Sequence, residues 1–431
     1  MSALERGDLL PRMATAPPGA RSRSLCETLE EAEAPVVNTL IDGQPSVVWR
    51  EALGSNVVDV DDNRYIDLTA GFGAAGVGHR HPRVVDALRR QSGLLLHGLG
   101  DVHSHPTRIE LAARLRAIAP MADAQVYFTA SGADAVEVAL KTAVLATGRT
   151  GVVAFEPSYH GLTLGALSVS SRPAFREPFQ SLLRPEVHRL PFGCSASKLD
   201  ELLAEHADIG AVIFEPIAGR EGVIVPPEGW ARHLGECCQQ RGVLLIADEV
   251  FTGFGRTGPM FATEEEGAEV DMVCCGKALG GGLPIGVVLG RRAVFQSWNR
   301  GGEALHTCTF LANPLSCSAA LAVLDIFENE GLVQRVRDLG QVVGARLRPW
   351  RDIPEVVDVR GRGLLWGVEL SSRTAAAAIA TDALRKGVLI LPTGKEGTVL
   401  EICPPLTISE AQIEAALDIL EPLISASRYE K

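Results

Sequence analysis

Lys277 lies in the stretch Asp271-Met-Val-Cys-Cys-Gly-Lys-Ala-Leu-Gly-Gly-Gly-Leu-Pro-Ile-Gly286, where cysteines, glycines and aliphatic residues leave a lysine poorly solvated. Burial disfavours the charged amine, so the residue is expected to be available as a neutral nucleophile for Schiff-base chemistry with an aldehyde. Upstream, Arg241-Gly-Val-Leu-Leu-Ile-Ala-Asp-Glu-Val250 is a short apolar run of the kind that forms buried parallel strands, and it ends in the carboxylate of Asp248. A lysine to hold a carbonyl and an acid to keep a ring nitrogen protonated are the two groups that pyridoxal 5'-phosphate needs before its ring can act as an electron sink. Singly, each has an ordinary reading, as a solvated surface lysine or as an acidic loop or helix cap. Their combination is far more specific.

Asp248-Glu-Val-Phe-Thr-Gly-Phe-Gly-Arg-Thr-Gly258 followed by Gly276-Lys277-Ala-Leu-Gly-Gly-Gly-Leu-Pro-Ile-Gly286 resembles the signature of the class III aminotransferases, which are fold type I pyridoxal-phosphate enzymes. Arg64-Tyr-Ile-Asp-Leu68 and Gly78-His-Arg-His-Pro82 are similar to the family's entry into its large domain. The resemblance implies a catalytic pair of Lys277 and Asp248. It also implies that Ser131, Gly132 and Ala133 cradle the cofactor phosphate, at a strand-to-helix turn whose free N–H groups suit an anion. Glu137 matches the acid that closes that motif, and otherwise reads as a first-turn glutamate favoured by the helix dipole. Within Ser158-Tyr-His-Gly-Leu-Thr-Leu-Gly165, Tyr159 takes the place of the aromatic ring that stacks on one face of the pyridine, and Val250 that of the valine on the other. Phe251 departs from the hydrogen-bonding side chain that many members carry next. In His306-Thr-Cys-Thr-Phe-Leu-Ala-Asn-Pro314, Thr309 matches the threonine that reaches across a dimer interface to the neighbour's phosphate, which implies a homodimer.

One departure bears on substrate. In members acting on 2-amino acids, a segment like Val399-Leu-Glu-Ile-Cys-Pro-Pro-Leu-Thr-Ile408 carries an arginine that clamps the α-carboxylate, and here Glu401 stands there. Glutamate repels what arginine binds. The acid that shields the arginine corresponds to Glu215, so two carboxylates are expected near the pocket, unless Glu401 pairs with a base such as Arg220 or Lys395. Phe72-Gly-Ala-Ala-Gly76 aligns with a pocket segment that often holds larger side chains, which suggests room for a bulky amine. The expectation is a ping-pong transaminase moving an amino group from an omega-amine, diamine or amino sugar, rather than a simple 2-amino acid, to a keto or aldehyde acceptor. An aminomutase or racemase would use the same lysine and aspartate, and a non-catalytic dimeric scaffold is the remote alternative. Gly280-Gly-Gly282 does not form the G-x-G-x-x-G turn of a nicotinamide enzyme.

The elements that must position these groups are legible as alternation. Gln125–Thr129, Gly151–Phe155, Gly210–Phe214, Val243–Ala247 and Asp271–Cys275 read as strands separated by helical stretches, including one over Ala133–Ala146. Such a pattern predicts an α/β domain with a mostly parallel sheet, and the family implies seven strands. Ligands belong at the carboxyl ends of such strands, where Asp248, Lys277 and Glu215 all fall. Short strands over residues 46–50 and 56–68 with a turn at Asp61-Asp-Asn-Arg64, a later strand over Gly363–Leu370 and helices starting near Ser372 and Ser409 are assigned to a smaller α+β domain. The expected division is a partly mobile N-terminal arm over 1–35, a small domain over 36–75 and 326–431, and a large cofactor-binding domain over 76–325.

A chain of 431 residues exceeds the comfortable size of one core, consistent with two domains. A formal net charge of −12 argues against a nucleic-acid partner, and no apolar run approaches the ~18 residues of a membrane span. Glu5 and Asp8 do not suit a secretory or transit signal, so the expected compartment is the cytoplasm. The nine cysteines include two adjacent pairs and no Cys-x-x-Cys, which suits neither disulfides nor zinc. His79-Arg-His81 and His103-Ser-His105 lack further ligands at metal spacing, and no metal is expected.

Overall fold

The computed structural model describes residues 7–35 and 45–426. The tip of the expected arm, residues 1–6, the start of the expected small domain, residues 36–44, and residues 427–431 lie outside them. Seven strands form the central sheet, in the order Ala124–Thr129, Gly286–Arg291, Met272–Cys275, Leu244–Asp248, Ile209–Phe214, Gly151–Glu156, Val187–Pro191. Only Gly286–Arg291 runs antiparallel to its neighbours. The inner strands are near-continuous apolar runs because both of their faces are covered. On one face, Val136, Ala139 and Leu140 of the helix Gly132–Thr147 pack against Ala154, Ile213 and Cys274. On the other, Trp230 opens the helix Trp230–Arg241 and sets its ring 4.8 Å from that of Phe155.

Two of the seven strands carry no clear sequence signal. Val187–Pro191 is an edge strand with His188, Arg189 and a terminal proline, a composition that only a one-sided position tolerates. Gly286–Arg291 follows a glycine run, and its glycines are there for packing. A Cβ on Gly286 would lie 2.2 Å from the Ser131 carbonyl oxygen.

Two smaller sheets flank the central one. Trp49–Leu53, Asn56–Asp59 and Arg64–Asp67 form antiparallel pairs, and Arg64–Asp67 pairs in parallel with Val388–Leu389, so the two ends of the chain share a sheet. Val356–Arg362, Leu365–Leu370, Val399–Ile402 and Leu391–Thr393 make an antiparallel sheet of four. The proposed domain boundary at 325/326 falls inside the helix Pro314–Glu330, so the chain passes between the proposed domains through a helix and not a linker. Among the described residues no helix is long and apolar enough to cross a membrane.

Candidate active site

Lys277 follows the strand Met272–Cys275 and begins a short 3-10 turn with φ +41°, a left-handed conformation that costs energy for a side chain with a Cβ. Gly276 before it is extended, with φ −177°. The turn aims the amine over the ring of Phe251, with Nζ 3.9 Å from the centroid. Desolvation lowers the Lys277 pKa, opposed in part by the charge of Asp248 and then by that of Glu401. Gly73, at φ +80°, packs closely against Phe251 and Lys277. A Cβ there would lie 2.7 Å from Phe251 and 3.6 Å from Lys277 Cδ.

Asp248 ends the strand Leu244–Asp248 and is 5% exposed. Its Oδ2 lies 2.8 Å from His160 Nδ1, and its Oδ1 accepts the Val250 N–H at 3.1 Å. Among the described residues it makes no ion pair with lysine or arginine. His160, inside the Ser158–Gly165 segment, carries no sequence signal for this role, yet it is the partner that orients the aspartate. Its Nε2 is buried without a hydrogen-bond partner. A buried carboxylate with only an imidazole beside it suits a protonated heteroaromatic nitrogen, whose N–H would supply the missing positive charge.

Ser131 caps the helix Gly132–Thr147, its hydroxyl accepting the Asp134 N–H at 3.2 Å. Three glycines bring the neighbouring segments onto this helix start. A Cβ on Gly132 would lie 2.7 Å from Val250 Cγ1, one on Gly276 3.5 Å from the same atom, and one on Gly161 2.6 Å from Ala133 Cβ. Ser131–Ala133, the Tyr159–Gly161 loop, Asp248–Val250 and Gly276–Lys277 therefore converge on one spot. Glu137 lies beyond the first turn of the helix, and its Oε1 accepts from Thr163 Oγ1 at 2.6 Å and from the Gly165 N–H at 2.8 Å. It ties down the loop that carries Tyr159 and His160. Thr309 stands apart, exposed beside Phe310. Its segment is nonetheless anchored to the same helix, because His306 Nε2 lies 2.8 Å from Asp134 Oδ1 and Tyr127 donates to the His306 carbonyl at 2.6 Å.

A cavity of ≈ 610 Å³ opens from Lys277, lined among others by Phe72, Tyr159, Arg220, Phe251 and Glu401. Glu401 lies on the strand Val399–Ile402, and burial pushes its carboxyl up to about 7 against the opposing charges of Lys277, Arg256 and Arg220, in that order. Neither expected base pairs with it among the described residues; Lys395 lies 4.0 Å from Glu396 instead. Glu215 is not on the lining. Its Oε1 accepts the Tyr159 N–H at 2.8 Å, and burial, reinforced by Asp248, holds its pKa well above the usual carboxylate range. Phe72, 54% exposed, stands at the cavity mouth and also borders an adjoining apolar cavity with Trp49 and Leu384.

A mostly parallel seven-stranded sheet with a half-buried lysine and a buried aspartate at its strand ends is the architecture of the fold type I pyridoxal-phosphate transaminases. The chain matches the aminotransferase class-III family over residues 41–424 and belongs to it, as a pyridoxal-phosphate-dependent aminotransferase. It is similar to the acetylornithine aminotransferase of Methanothermobacter thermautotrophicus, with 38% identity over 93% of this chain and 99% of the relative. The alanine/serine racemase of Pyrococcus horikoshii is 33% identical over 96% of this chain and 92% of its own. Among solved structures, the adenosylmethionine-8-amino-7-oxononanoate aminotransferase of Methanocaldococcus jannaschii superimposes with a TM-score of 0.87 at 29% identity, covering 94% of this chain and all of that one.

Proposed function

We propose that this aminotransferase takes its amino group from a primary amine that bears no carboxylate on the reacting carbon, an omega-amine, diamine or amino sugar, and passes it to a keto or aldehyde acceptor in a ping-pong cycle. The observation that carries this reading is Glu401, a carboxyl on the wall of the Lys277 cavity with no ion-pair partner among the described residues. A carboxylate beside the reacting carbon would meet like charge there. A neutral carbon meets none, and an ammonium is attracted.

Bound pyridoxal phosphate supplies an electron sink for the carbon that loses its proton. The chain supplies the rest. Lys277, whose pKa desolvation lowers, would hold the carbonyl of the bound cofactor and would move the proton at the substrate carbon. Asp248, oriented by His160, would keep the ring nitrogen of the bound cofactor protonated. Ser131, Gly132 and Ala133 at the helix start would bind its phosphate, and Tyr159 and Val250 would flank its ring. Thr309 serves the site of a second copy of the chain. Its exposure beside Leu305 and Phe310, with Leu99 and Val102 also exposed, supports a homodimer across that apolar surface.

Racemisation is the second reading, favoured by the likeness to the Pyrococcus horikoshii racemase. Donor alone separates the two. A transaminase given one equivalent of its amine converts the cofactor's absorption to that of the amine form and releases a carbonyl product. Retention of the aldehyde form with isomerised donor would overturn the proposal.

A further inference from the structure

Four cationic side chains line the cavity around Lys277, and three have evident partners or stand in solvent. Arg172 is neutralised by Glu221 at 2.9 Å, Lys395 is near Glu396, and Arg373 is exposed at the start of the helix Arg373–Arg385. Arg220 shares with Arg172 a place against the Phe175 ring and a buried Nε without a partner, and differs from it in having no carboxylate at ion-pair distance among the described residues. It is partly buried, its guanidinium carbon lies 4.9 Å from the ring centroid of Tyr159 and 5.9 Å from that of Phe175, and its Nε is shielded from solvent without a hydrogen-bond partner. Among the described residues it makes no ion pair with a carboxylate. Its backbone is held as well, because its carbonyl accepts from Thr393 Oγ1 at 2.7 Å and from the Gly394 N–H at 3.1 Å.

A guanidinium resting against two rings on a pinned backbone has already lost much of the rotamer freedom that binding would otherwise cost, and its planar donors match a carboxylate or a phosphate. The desolvated Nε–H needs an acceptor that the protein does not provide. The opposite charges on the cavity wall also matter. Glu401, on the strand Val399–Ile402, and Arg220, over the ring of Tyr159, line the same cavity as Lys277 from separate elements.

We infer that Arg220 is a specificity-determining residue that binds an acidic group, carboxylate or phosphate, carried by the substrate away from the carbon that bears the reacting nitrogen. The inference rests on the transaminase reading, and narrows it: Glu401 rejects an acid at the reacting carbon and Arg220 accepts one at a distance.

The test uses the holoenzyme and four donors of matched length: 4-aminobutyrate, 3-aminopropyl phosphate, butylamine and 1,4-diaminobutane. Single-turnover conversion of the cofactor spectrum is followed for wild type, Arg220→Met and Arg220→Lys. Wild type is expected to favour an acid-bearing donor, with the carboxylate and phosphate arms showing which acid fits. Arg220→Met should lower kcat/KM for that donor on the order of 10²-fold, change butylamine by less than about 3-fold, and be partly rescued in Arg220→Lys. Equal losses on charged and uncharged donors, or no wild-type preference for an acid, would overturn the assignment. Calorimetric titration with butyrate and with inorganic phosphate supplies a readout independent of turnover. If no donor converts the cofactor, transamination itself has failed, and anion binding then decides the Arg220 assignment: loss in Arg220→Met supports it, and equal binding by both proteins refutes it.

Discussion

At Lys277 a left-handed backbone and a desolvated amine occur in the same residue, as expected where local strain serves to aim a reactive group. Lys277→Ala should abolish turnover and leave a folded protein, measured as loss of the borohydride-trapped lysine adduct with an unchanged circular dichroism spectrum. Trapping at another lysine would refute the assignment. Asp248→Asn keeps the shape of the site and removes the charge, and turnover should fall roughly 10²- to 10⁴-fold while cofactor occupancy falls less. Full occupancy with near wild-type turnover would mean that the ring nitrogen is served by another group. Glu401 gives a pH signature. Its carboxyl, raised to about 7, is neutral on the acid side and charged on the alkaline side, so discrimination against a 2-amino acid should strengthen as pH rises through neutrality. The kcat/KM ratio of a simple amine to its 2-carboxylate analogue should climb in wild type and stay flat in Glu401→Gln. The stability sign is the reverse. A carboxyl whose pKa is raised on folding stabilises the fold most below its ordinary value of 4.5 and loses that contribution as pH rises through about 7, so Glu401→Gln should gain stability relative to wild type at alkaline pH.

At the scale of elements, the loop after the strand Leu244–Asp248 depends on the next acid in the chain. Glu249 is fully buried, and its carboxylate accepts the N–H groups of Ala262 at 2.7 Å and Thr263 at 2.9 Å together with the hydroxyls of Thr252 and Thr263. In Asp248-Glu249 the first acid therefore faces the cofactor site and the second fixes the loop that carries Val250 and Phe251. Glu249→Ala strands buried donors and should cost about 3 kcal/mol in chemical denaturation, with Glu249→Gln costing less because the amide oxygen still accepts. A loss within about 0.5 kcal/mol for Glu249→Ala would show that water replaces the carboxylate.

Across the whole molecule, Arg256 is one of the side chains that join the central sheet's loops to the later strands. It is 2% exposed, and its Nη1 donates to the carbonyls of Leu364 at 2.9 Å and Pro404 at 2.6 Å, both at one end of the paired strands Leu365–Leu370 and Val399–Ile402, the second of which carries Glu401. Arg256→Met should lower Tm and also blunt the pH-dependent discrimination attributed to Glu401, because the strand Val399–Ile402 loses its tether. A lower Tm with intact discrimination would limit Arg256 to stability. For the proposed dimer, light scattering should give the mass of two chains, and Phe310→Asp should shift it towards one while weakening cofactor retention on dilution. Unchanged mass would place the contact elsewhere.

Much of the fold was legible in the sequence because fully buried parallel strands are written as unbroken apolar runs, and Gly151–Glu156, Ile209–Phe214, Leu244–Asp248 and Met272–Cys275 are such runs. The Lys277 and Asp248 motifs were legible for a related reason: a cysteine-, glycine- and aliphatic-rich setting for a lysine and a strand-terminal acid are local patterns. Val187–Pro191 and Gly286–Arg291 were not, since an edge strand can be polar and a glycine-bearing strand is defined by what presses against it. The same limit applies to the pairing of His160 with Asp248, the turning of Glu215 towards the Tyr159 N–H, and the stacking of Arg220 on Tyr159 and Phe175. Each joins residues from separate strand-to-helix connections. The sequence by itself determined which chemistry the chain carries, because residue type sets nucleophilicity and charge. Only the tertiary structure decided which charges are left unpaired in the cavity, because desolvation and pairing depend on neighbours that the chain brings together by folding.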